Sequence, residues 1–460
     1  MLARPHQSGF SPTGFQVQFK HLALTFIVAI LASSAGAVEA PRRAVLAHYM
    51  VCCARAGLNA SVDDLDSEIS LAESYGIDGF VLNGGWYARY PANAALVDRM
   101  FKAAERHKSF GLVFSFDQSE SEEAVQMVTA YGRHSNMMTK DGRVVVSGWW
   151  QTPRWVKDVK DALAARGIPS FMTPQLKYPW RPEIGFAPET SDVNAARSLL
   201  NEVPELDGYF YFGAGSPAAT VSNSIEGIAK LARSHDKLFM CGVSAFYRGF
   251  QNNSRVFETD GFSGMRERWM KAIESKADWI QLVTWNDWSE ATYLQPFDRP
   301  LTSVWNIPGW QNLPDHSGFL GASRYYINWF KHGRRPALQS DTLFYFYQLH
   351  ANEAQGIVDF RTMERGRPKF WEKLTNKFHL AAFLTHPLAV TIKIGAFSYD
   401  VELPEGDSVT SVPLSLGKVE VIQHTRTGDI SIQLPLSVGA NADIGNFNYF
   451  TGQLQLGTDQ

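Results

Sequence analysis

The amino-acid sequence predicts an α/β fold, a (β/α)8 TIM barrel followed by a C-terminal β-sandwich domain. Across residues 41–336, short apolar runs alternate with polar or amphipathic stretches of helical length, which is typical of parallel α/β folds. Across residues 341–460 the helical period fades, and apolar and polar residues alternate as in half-buried strands. A doubly wound sheet is the alternative for the first part, but eight units in about 290 residues fit a barrel better.

Residues 1–37 have the pattern of a secretory signal peptide. Basic residues without acidic ones precede an apolar run at 22–32, and small residues then lead to a predicted cleavage site after Ala37 or Ala40. The apolar run is short for a membrane span, and an uncleaved membrane anchor is the alternative. We expect a protein that is secreted or periplasmic and has no membrane contact after removal of the signal peptide.

Eight apolar runs are predicted to be the barrel strands. They are residues 44–50, 79–84, 111–117, 144–150, 170–176, 208–213, 238–245 and 279–287. Apolar residues at helical spacing occur at 63–76, 92–109, 222–237 and 316–336.

Asp78 and Asp207 stand where strands begin. Because barrel chemistry gathers where strands end, these two carboxylates are predicted to be structural.

The last part of the chain contains the predicted sandwich strands. The alternating runs are residues 388–403, 408–416, 418–425 and 428–438. Trp371 is the one tryptophan after residue 341, so aromatic side chains that could stack on a sugar are few there. We therefore expect this domain to pack against the barrel rather than to bind carbohydrate.

Composition narrows the class of ligand. Charged residues make up 19% of the chain, aromatic residues 13%, and the net charge is −3. This charge gives no reason to expect nucleic acid or an anionic membrane as a partner.

The chain has three cysteines, Cys52, Cys53 and Cys241. Pairing of Cys53 with Cys241 is one prediction and buried free thiols are the alternative, while the spacing of Cys and His predicts no metal site and no cofactor.

Polar and aromatic residues recur where the predicted strands end, which indicates a cleft. The predicted substrate-binding residues are His48, Tyr49, Asn83, Trp86, Asp117, Trp149, Gln175, Tyr211, Tyr247, Trp285, Asn286 and Trp288. Sugars have apolar C–H faces that stack on Trp and Tyr, and hydroxyl groups that bind amides, carboxylates and imidazoles. Each residue alone has a structural explanation, and their shared position favours a carbohydrate site.

The stretch TWNDWSEATYLQP, residues 284–296, contains the predicted catalytic pair, Asp287 and Glu290. Residues three apart on a helical turn have Cβ atoms about 5–6 Å apart, so both carboxyl groups can face one cleft. Glycosidic cleavage needs one protonated carboxyl group and one carboxylate. We assign Glu290 as the general acid, because Trp288 and Tyr293 flank it, and Asp287 as the general base. A structural helix cap with the pattern D-x-x-E is the alternative.

This stretch resembles the W-N-D-aromatic-small-E signature of glycoside hydrolase family 71, the α-1,3-glucanases or mutanases. AHYMV at 47–51, GIDGFVLN at 76–83, FSFD at 114–117 and YYINWFKHG at 325–333 are also similar to that family. The resemblance implies that Asp287 and Glu290 are catalytic and that they cleave α-1,3-glucan with inversion. We expect a monomeric, secreted endo-hydrolase. The alternatives are an endo-α-mannosidase-like hydrolase, similar to family 99, and a non-catalytic polysaccharide-binding protein on the same scaffold.

Overall fold

The computed structural model describes residues 37–177, 189–250, 254–297, 310, 313–442 and 446–457. These residues belong to one compact unit, Ser34–Gln460. The predicted signal peptide lies outside the described residues except for Ala37. Among the helices that are described, none is both long enough and apolar enough to cross a membrane.

The chain has a mixed α/β fold. Its strands are β1 Val38–Glu39, β2 Val45–Met50, β3 Gly79–Gly84, β4 Gly111–Asp117, β5 Met138–Lys140, β6 Arg143–Trp149, β7 Ser170–Met172, β8 Gly208–Tyr211, β9 Leu238–Ser244, β10 Tyr247–Arg248, β11 Val256–Phe257, β12 Trp279–Val283, β13 Thr342–Gln348, β14 Gly356–Asp359, β15 Glu364–Gly366, β16 Lys377–Leu384, β17 Leu388–Ile394, β18 Phe397–Leu403, β19 Gly406–Pro413, β20 Val419–Thr425, β21 Gly428–Gln433 and β22 Tyr449–Leu454. Its helices are α1 Val62–Ser74, α2 Pro91–Ala104, α3 Ser121–Tyr131, α4 Pro153–Ala165, α5 Glu189–Glu202, α6 Ala218–Ser234, α7 Ser263–Glu274 and α8 Ser317–His332.

Eight of these strands run parallel in one sheet, in the order β7–β6–β4–β3–β2–β12–β9–β8. Each begins within one residue of its predicted run. β7 ends earlier than predicted because Pro174 has no N–H to donate to a neighbouring strand. β12 also ends early, because the chain turns sharply after Val283 into the loop that contains the acid pair. The two terminal strands of this order approach through a 2.9 Å hydrogen bond from Asp207 N to Met172 O.

Both faces of the parallel sheet are apolar. One face presents a buried cluster to which each parallel strand contributes, including Leu46, Val81, Val113, Val145, Phe171, Phe210, Met240 and Trp279. The alternate residues of the strands join a larger cluster with the helices on the other face. Parallel strands covered on both faces read as continuous apolar runs, which is why the sequence revealed their positions.

Local sequence signals define several helix ends. The Ser61 side chain accepts from Asp64 N at the start of α1, and the Asp64 side chain accepts from Ser61 N in return, forming a capping box. Thr152 caps α4, whose first residue is Pro153. α8 ends at His332, and Gly333 follows it with a φ of 71°, a conformation that suits glycine.

Asp78 and Asp207 are structural, as the sequence predicts. Asp78 accepts a 2.8 Å hydrogen bond from Val45 N and pairs with Lys331 of α8 at 2.6 Å. Asp207 accepts from Met172 N at 2.9 Å and pairs with Arg143 and Lys160. Both carboxylates connect neighbouring elements at the ends where the strands begin.

The C-terminal part contains two four-stranded antiparallel sheets, β19–β16–β13–β22 and β18–β17–β20–β21. Side chains from both sheets, such as Tyr345, Leu380, Ile392 and Val421, share one buried cluster. The predicted alternating runs correspond to β17 through β21. β13, β16 and β22 are buried on both faces, so they lack the alternation that predicts a half-buried strand.

Candidate active site

The loop after β12 contains Asp287 and Glu290. Asp287 N donates to Thr284 Oγ1 at 2.9 Å, and Glu290 N donates to Asp287 Oδ1 at 3.0 Å. β10 and the residues after it also bind this loop. Arg248 N donates to Glu290 O and Phe250 N donates to Ser289 O, both at 2.9 Å. The Asp287 carboxylate therefore caps the turn, and the same contacts fix the positions of both acids.

Glu290 is the more strongly perturbed of the two acids. Burial raises its pKa to about 8, and the charge of Asp287 contributes to the rise. A 2.9 Å hydrogen bond from the Tyr247 hydroxyl and the nearby positive charge of Arg255 lower the pKa of Glu290 in part. Glu290 can therefore carry a proton near neutral pH and release it to an acceptor.

Asp287 has a smaller rise. Burial raises the pKa of Asp287 to about 6, while hydrogen bonds from Glu290 N and Ser289 N lower it. The larger rise at Glu290 favours a proton on Glu290 and an ionised Asp287 near neutral pH. Opposite protonation states in one site are what acid–base catalysis requires.

Asp117, at the end of β4, is a third carboxylate close to the pair. Its negative charge raises the pKa of both Asp287 and Glu290. Burial raises the pKa of Asp117 itself, and a hydrogen bond from Asn83 opposes that rise. Asn83, Trp86 and Asp117 line one cavity of about 310 Å³, as the shared position of strand ends predicts.

Trp149, Gln175 and His48 belong to strands of the parallel sheet or to the segments that follow them. Trp149 is level with Asp117 across the β4–β6 pair, and its ring stacks with that of Trp150 at 5.6 Å. The Gln175 side chain accepts from Trp150 N at 3.0 Å. His48 is buried next to Gln281, and burial lowers the pKa of His48 to about 3, so its imidazole is neutral.

Four of the sequence-predicted binding residues point away from this group. Tyr49 packs on Phe80 in the cluster under the helices, and the Tyr211 hydroxyl donates to Asp192 at 2.8 Å. The Trp285 indole donates to Glu68 at 3.1 Å, and the Trp288 indole donates to Cys53 O at 2.8 Å. Adjacent strand residues face opposite sides, so His48 and Tyr49 cannot both reach the same cleft.

Asn286 is a fixed structural contact. Its Nδ2 donates to Met50 O at 3.1 Å and to Cys53 O at 2.9 Å, and its Oδ1 accepts from Met50 N at 2.7 Å. The amide is fully buried. Asn286 therefore joins the loop of the acid pair to the end of β2, and its side chain is not free to bind a substrate.

Asn286→Ala is expected to lower the free energy of unfolding by about 3 kcal/mol, since three buried hydrogen bonds of about 1 kcal/mol each are lost. Urea denaturation would measure the change. Asn194→Ala, at an exposed position on α5, is the matched control and should change stability by less than about 0.5 kcal/mol. Equal stability of the two variants would contradict the structural role of Asn286.

Comparison with known proteins identifies the family. The model of glycosyl hydrolase family 71 matches residues 41–460. The chain belongs to glycosyl hydrolase family 71. The resemblance seen in the sequence is thereby confirmed, and the match includes the loop that holds Asp287 and Glu290.

Two relatives of this family 71 member have names that state an activity. A mutanase from Penicillium rubens is 26% identical over 90% of this chain and 89% of its own. A glucan endo-1,3-α-glucosidase from Schizosaccharomyces pombe is 23% identical over 86% of this chain and 91% of its own. The solved structure of a family 99 endo-α-mannosidase from Bacteroides thetaiotaomicron matches with a TM-score of 0.48 at 13% identity, over 63% of this chain and 97% of its own. That last likeness is too low to indicate a shared activity.

The cysteine pairing predicted for this family 71 member is wrong. Cys52 and Cys53 form a disulfide with each other, and Cys241 is a buried free thiol. Cys241 lies within β9 and is level with Ile280 and, one strand further, with Val45. Cys53 lies beyond the end of β2, so the length of a strand separates it from Cys241.

Two further residues next to the acids were not found from the sequence. Arg255 precedes β11 and is close enough to Glu290 to affect its pKa. Thr284 accepts the hydrogen bond that orients Asp287. No spacing rule relates Arg255 to Glu290, because the β10–β11 pair brings them together only in the folded chain.

Within the described ranges, no three His, Cys, Asp or Glu side chains are grouped to hold a metal ion.

Proposed function

We propose that this family 71 member is a secreted, monomeric endo-hydrolase that cleaves α-1,3-glucan with inversion. The observation that carries the proposal is the buried acid pair in one loop, where Glu290 N donates to Asp287 Oδ1 at 3.0 Å and the Tyr247 hydroxyl donates to the Glu290 carboxylate at 2.9 Å. Burial raises the pKa of both acids, and the charge of Asp287 adds to the rise at Glu290. The names of its relatives, a mutanase and a glucan endo-1,3-α-glucosidase, supply the substrate class. Glu290 is the general acid and Asp287 the general base.

The proposed reaction is a single displacement. Glu290 gives its proton to the glycosidic oxygen as the bond from that oxygen to the anomeric carbon breaks. Asp287 takes a proton from a water molecule whose oxygen attacks the same carbon from the opposite face. The pair ends with Glu290 ionised and Asp287 protonated, so the return of one proton through solvent resets the site.

The other polar residues of the cleft would hold the glucan. Trp86 and Trp149 are partly exposed indoles that suit the apolar faces of sugar rings. Asn83, Asp117 and Gln175 supply hydrogen-bonding groups for hydroxyls. The Tyr247 hydroxyl would keep the Glu290 carboxyl group oriented toward the cleft through its 2.9 Å hydrogen bond. His48 is buried and neutral, so its role would be to pack beneath the substrate site.

We also propose that the parallel sheet is a closed barrel and that the two C-terminal sheets form a sandwich. The hydrogen bond from Asp207 N to Met172 O supports closure between β7 and β8. The apolar cluster to which each parallel strand contributes supports a filled barrel interior. The buried cluster common to both antiparallel sheets supports face-to-face packing.

The function is tested by incubating the mature protein with a panel of α-glucans, β-glucans and α-mannan. Chromatography follows the products, and NMR follows the anomer first released. We expect oligosaccharides from α-1,3-glucan and initial release of the β-anomer, as inversion requires. Release from α-mannan alone would favour the endo-α-mannosidase alternative. Binding without release from any polymer would favour a non-catalytic binding protein.

A further inference from the structure

The disulfide between Cys52 and Cys53 lies at the edge of the cleft. It is part of the short turn Val51–Cys53 that follows β2. Cys52 is exposed, and it lines the cavity of about 310 Å³ together with Asn83, Trp86 and Asp117. The mechanism above gives this disulfide no role, although it shares a cavity with residues of the proposed site.

The disulfide turn is firmly attached to the loop of the acid pair. The Cys53 carbonyl accepts from Asn286 Nδ2 at 2.9 Å and from Trp288 Nε1 at 2.8 Å. The Cys53 side chain packs against a buried aromatic cluster that includes Trp288. With Cys53 held on the inner side, Cys52 is the half of the disulfide that faces the cavity. The turn that carries Cys52 is therefore joined to the loop of the acid pair by two hydrogen bonds.

The chemistry of the cavity wall suits a sugar ring. Disulfide sulfurs are polarizable and are poor hydrogen-bonding groups, so they present an apolar surface. Trp86 adds an indole that is 46% exposed, and its φ of 56° is rare for a bulky residue. Asn83 and Asp117 add polar groups at the same cavity. Apolar surfaces combined with a few polar groups match the C–H faces and the hydroxyl groups of a pyranose.

We propose that the Cys52–Cys53 disulfide is one wall of a sugar-binding subsite, shared with Trp86, and that reduction of the disulfide weakens glucan binding. The proposal rests on the proposed function, since it names a subsite for the same glucan. A trialkylphosphine and water can carry out the reduction. The S–S bond breaks, two S–H bonds form, and the phosphine takes the oxygen of water to become a phosphine oxide.

The test compares KM and kcat on soluble α-1,3-linked glucose oligosaccharides. The Cys52→Ala/Cys53→Ala double variant is expected to raise KM about fivefold, as for the loss of one favourable ring contact, with kcat changed less than about twofold. Phosphine should raise KM of the wild type to the same extent and leave the double variant unchanged. Cys241→Ala is the control for the buried thiol and should respond to phosphine as the wild type does.

The outcomes separate the subsite from the proposed function. Wild-type hydrolysis with an unchanged KM after phosphine treatment, once thiol titration shows full reduction, would overturn the subsite alone. A fall in kcat at constant KM would also overturn it, because the disulfide would then act by holding the acid loop. Absence of wild-type hydrolysis would overturn the proposed function and the subsite with it. If the double variant does not fold, the KM of the phosphine-treated wild type decides the result.

Discussion

Glu290→Gln is expected to lower kcat on α-1,3-glucan by at least about 100-fold, the usual range for loss of a general acid. Glutamine keeps the size of the side chain and can still accept the Tyr247 hydrogen bond, but it has no acidic proton to give to the leaving oxygen. Binding of the polymer should be largely retained, since the amide still fills the same space. Release of reducing ends measures the rate, and co-sedimentation with insoluble glucan measures binding.

Asp287→Asn should cause a loss of similar size for a different reason. The asparagine oxygen can still accept from Glu290 N, so the turn is preserved, but an amide cannot take a proton from water. Glu226→Gln, with a side chain 71% exposed on α6, is the matched control and should keep wild-type activity. Wild-type hydrolysis by both site variants would show that the assigned acid pair is wrong.

The second large effect is a bell-shaped dependence of kcat/KM on pH. Below about pH 6, Asp287 binds a proton and can no longer act as a base, so the rate falls as pH decreases. Above about pH 8, Glu290 loses the proton that it must donate, so the rate falls as pH increases. Each limb should approach a tenfold change per pH unit. Initial rates on a soluble oligosaccharide in constant-ionic-strength buffers measure both limbs.

Two variants should move these limbs in opposite directions. Tyr247→Phe removes a hydrogen bond that lowers the pKa of Glu290, so the alkaline limb should move to higher pH. Asp117→Asn removes a negative charge that raises the pKa of both acids, so both limbs should move to lower pH. The test is the pH at which each limb falls, and the maximum value of kcat/KM does not enter it. Movement of the limbs in the reverse directions would contradict the assignment of Glu290 as acid.

Much of the fold could be predicted from the sequence. The parallel strands are short apolar runs because helices cover one face and a shared apolar cluster covers the other, and this pattern is visible without any structure. The closeness of Asp287 and Glu290 could be predicted as well, since the two residues are three apart in one loop, and their catalytic role stays a prediction. Asp78 and Asp207 could be set aside because they stand where strands begin.

Other features depend on contacts between distant parts of the chain. Arg255 reaches Glu290 because β10 and β11 pair, and Cys53 reaches Trp288 because β2 and β12 are neighbours. Neither relation has a fixed spacing that a sequence could reveal. The disulfide could not be predicted from spacing either, because any two of the three cysteines could pair. The choice depends on which of them the folded strands bring together.

The sequence by itself thus determined the order of the strands along the chain, the family and the closeness of Asp287 to Glu290, because these depend on local periodicity and on one short motif. Only the tertiary structure decided which face of the sheet each side chain lies on. His48 and Tyr49 are adjacent in sequence, yet the pleat of β2 turns one toward Gln281 and the other toward Phe80. The raised pKa values of Asp287 and Glu290 were likewise decided by tertiary structure, because they arise from burial and from charges that other strands bring close.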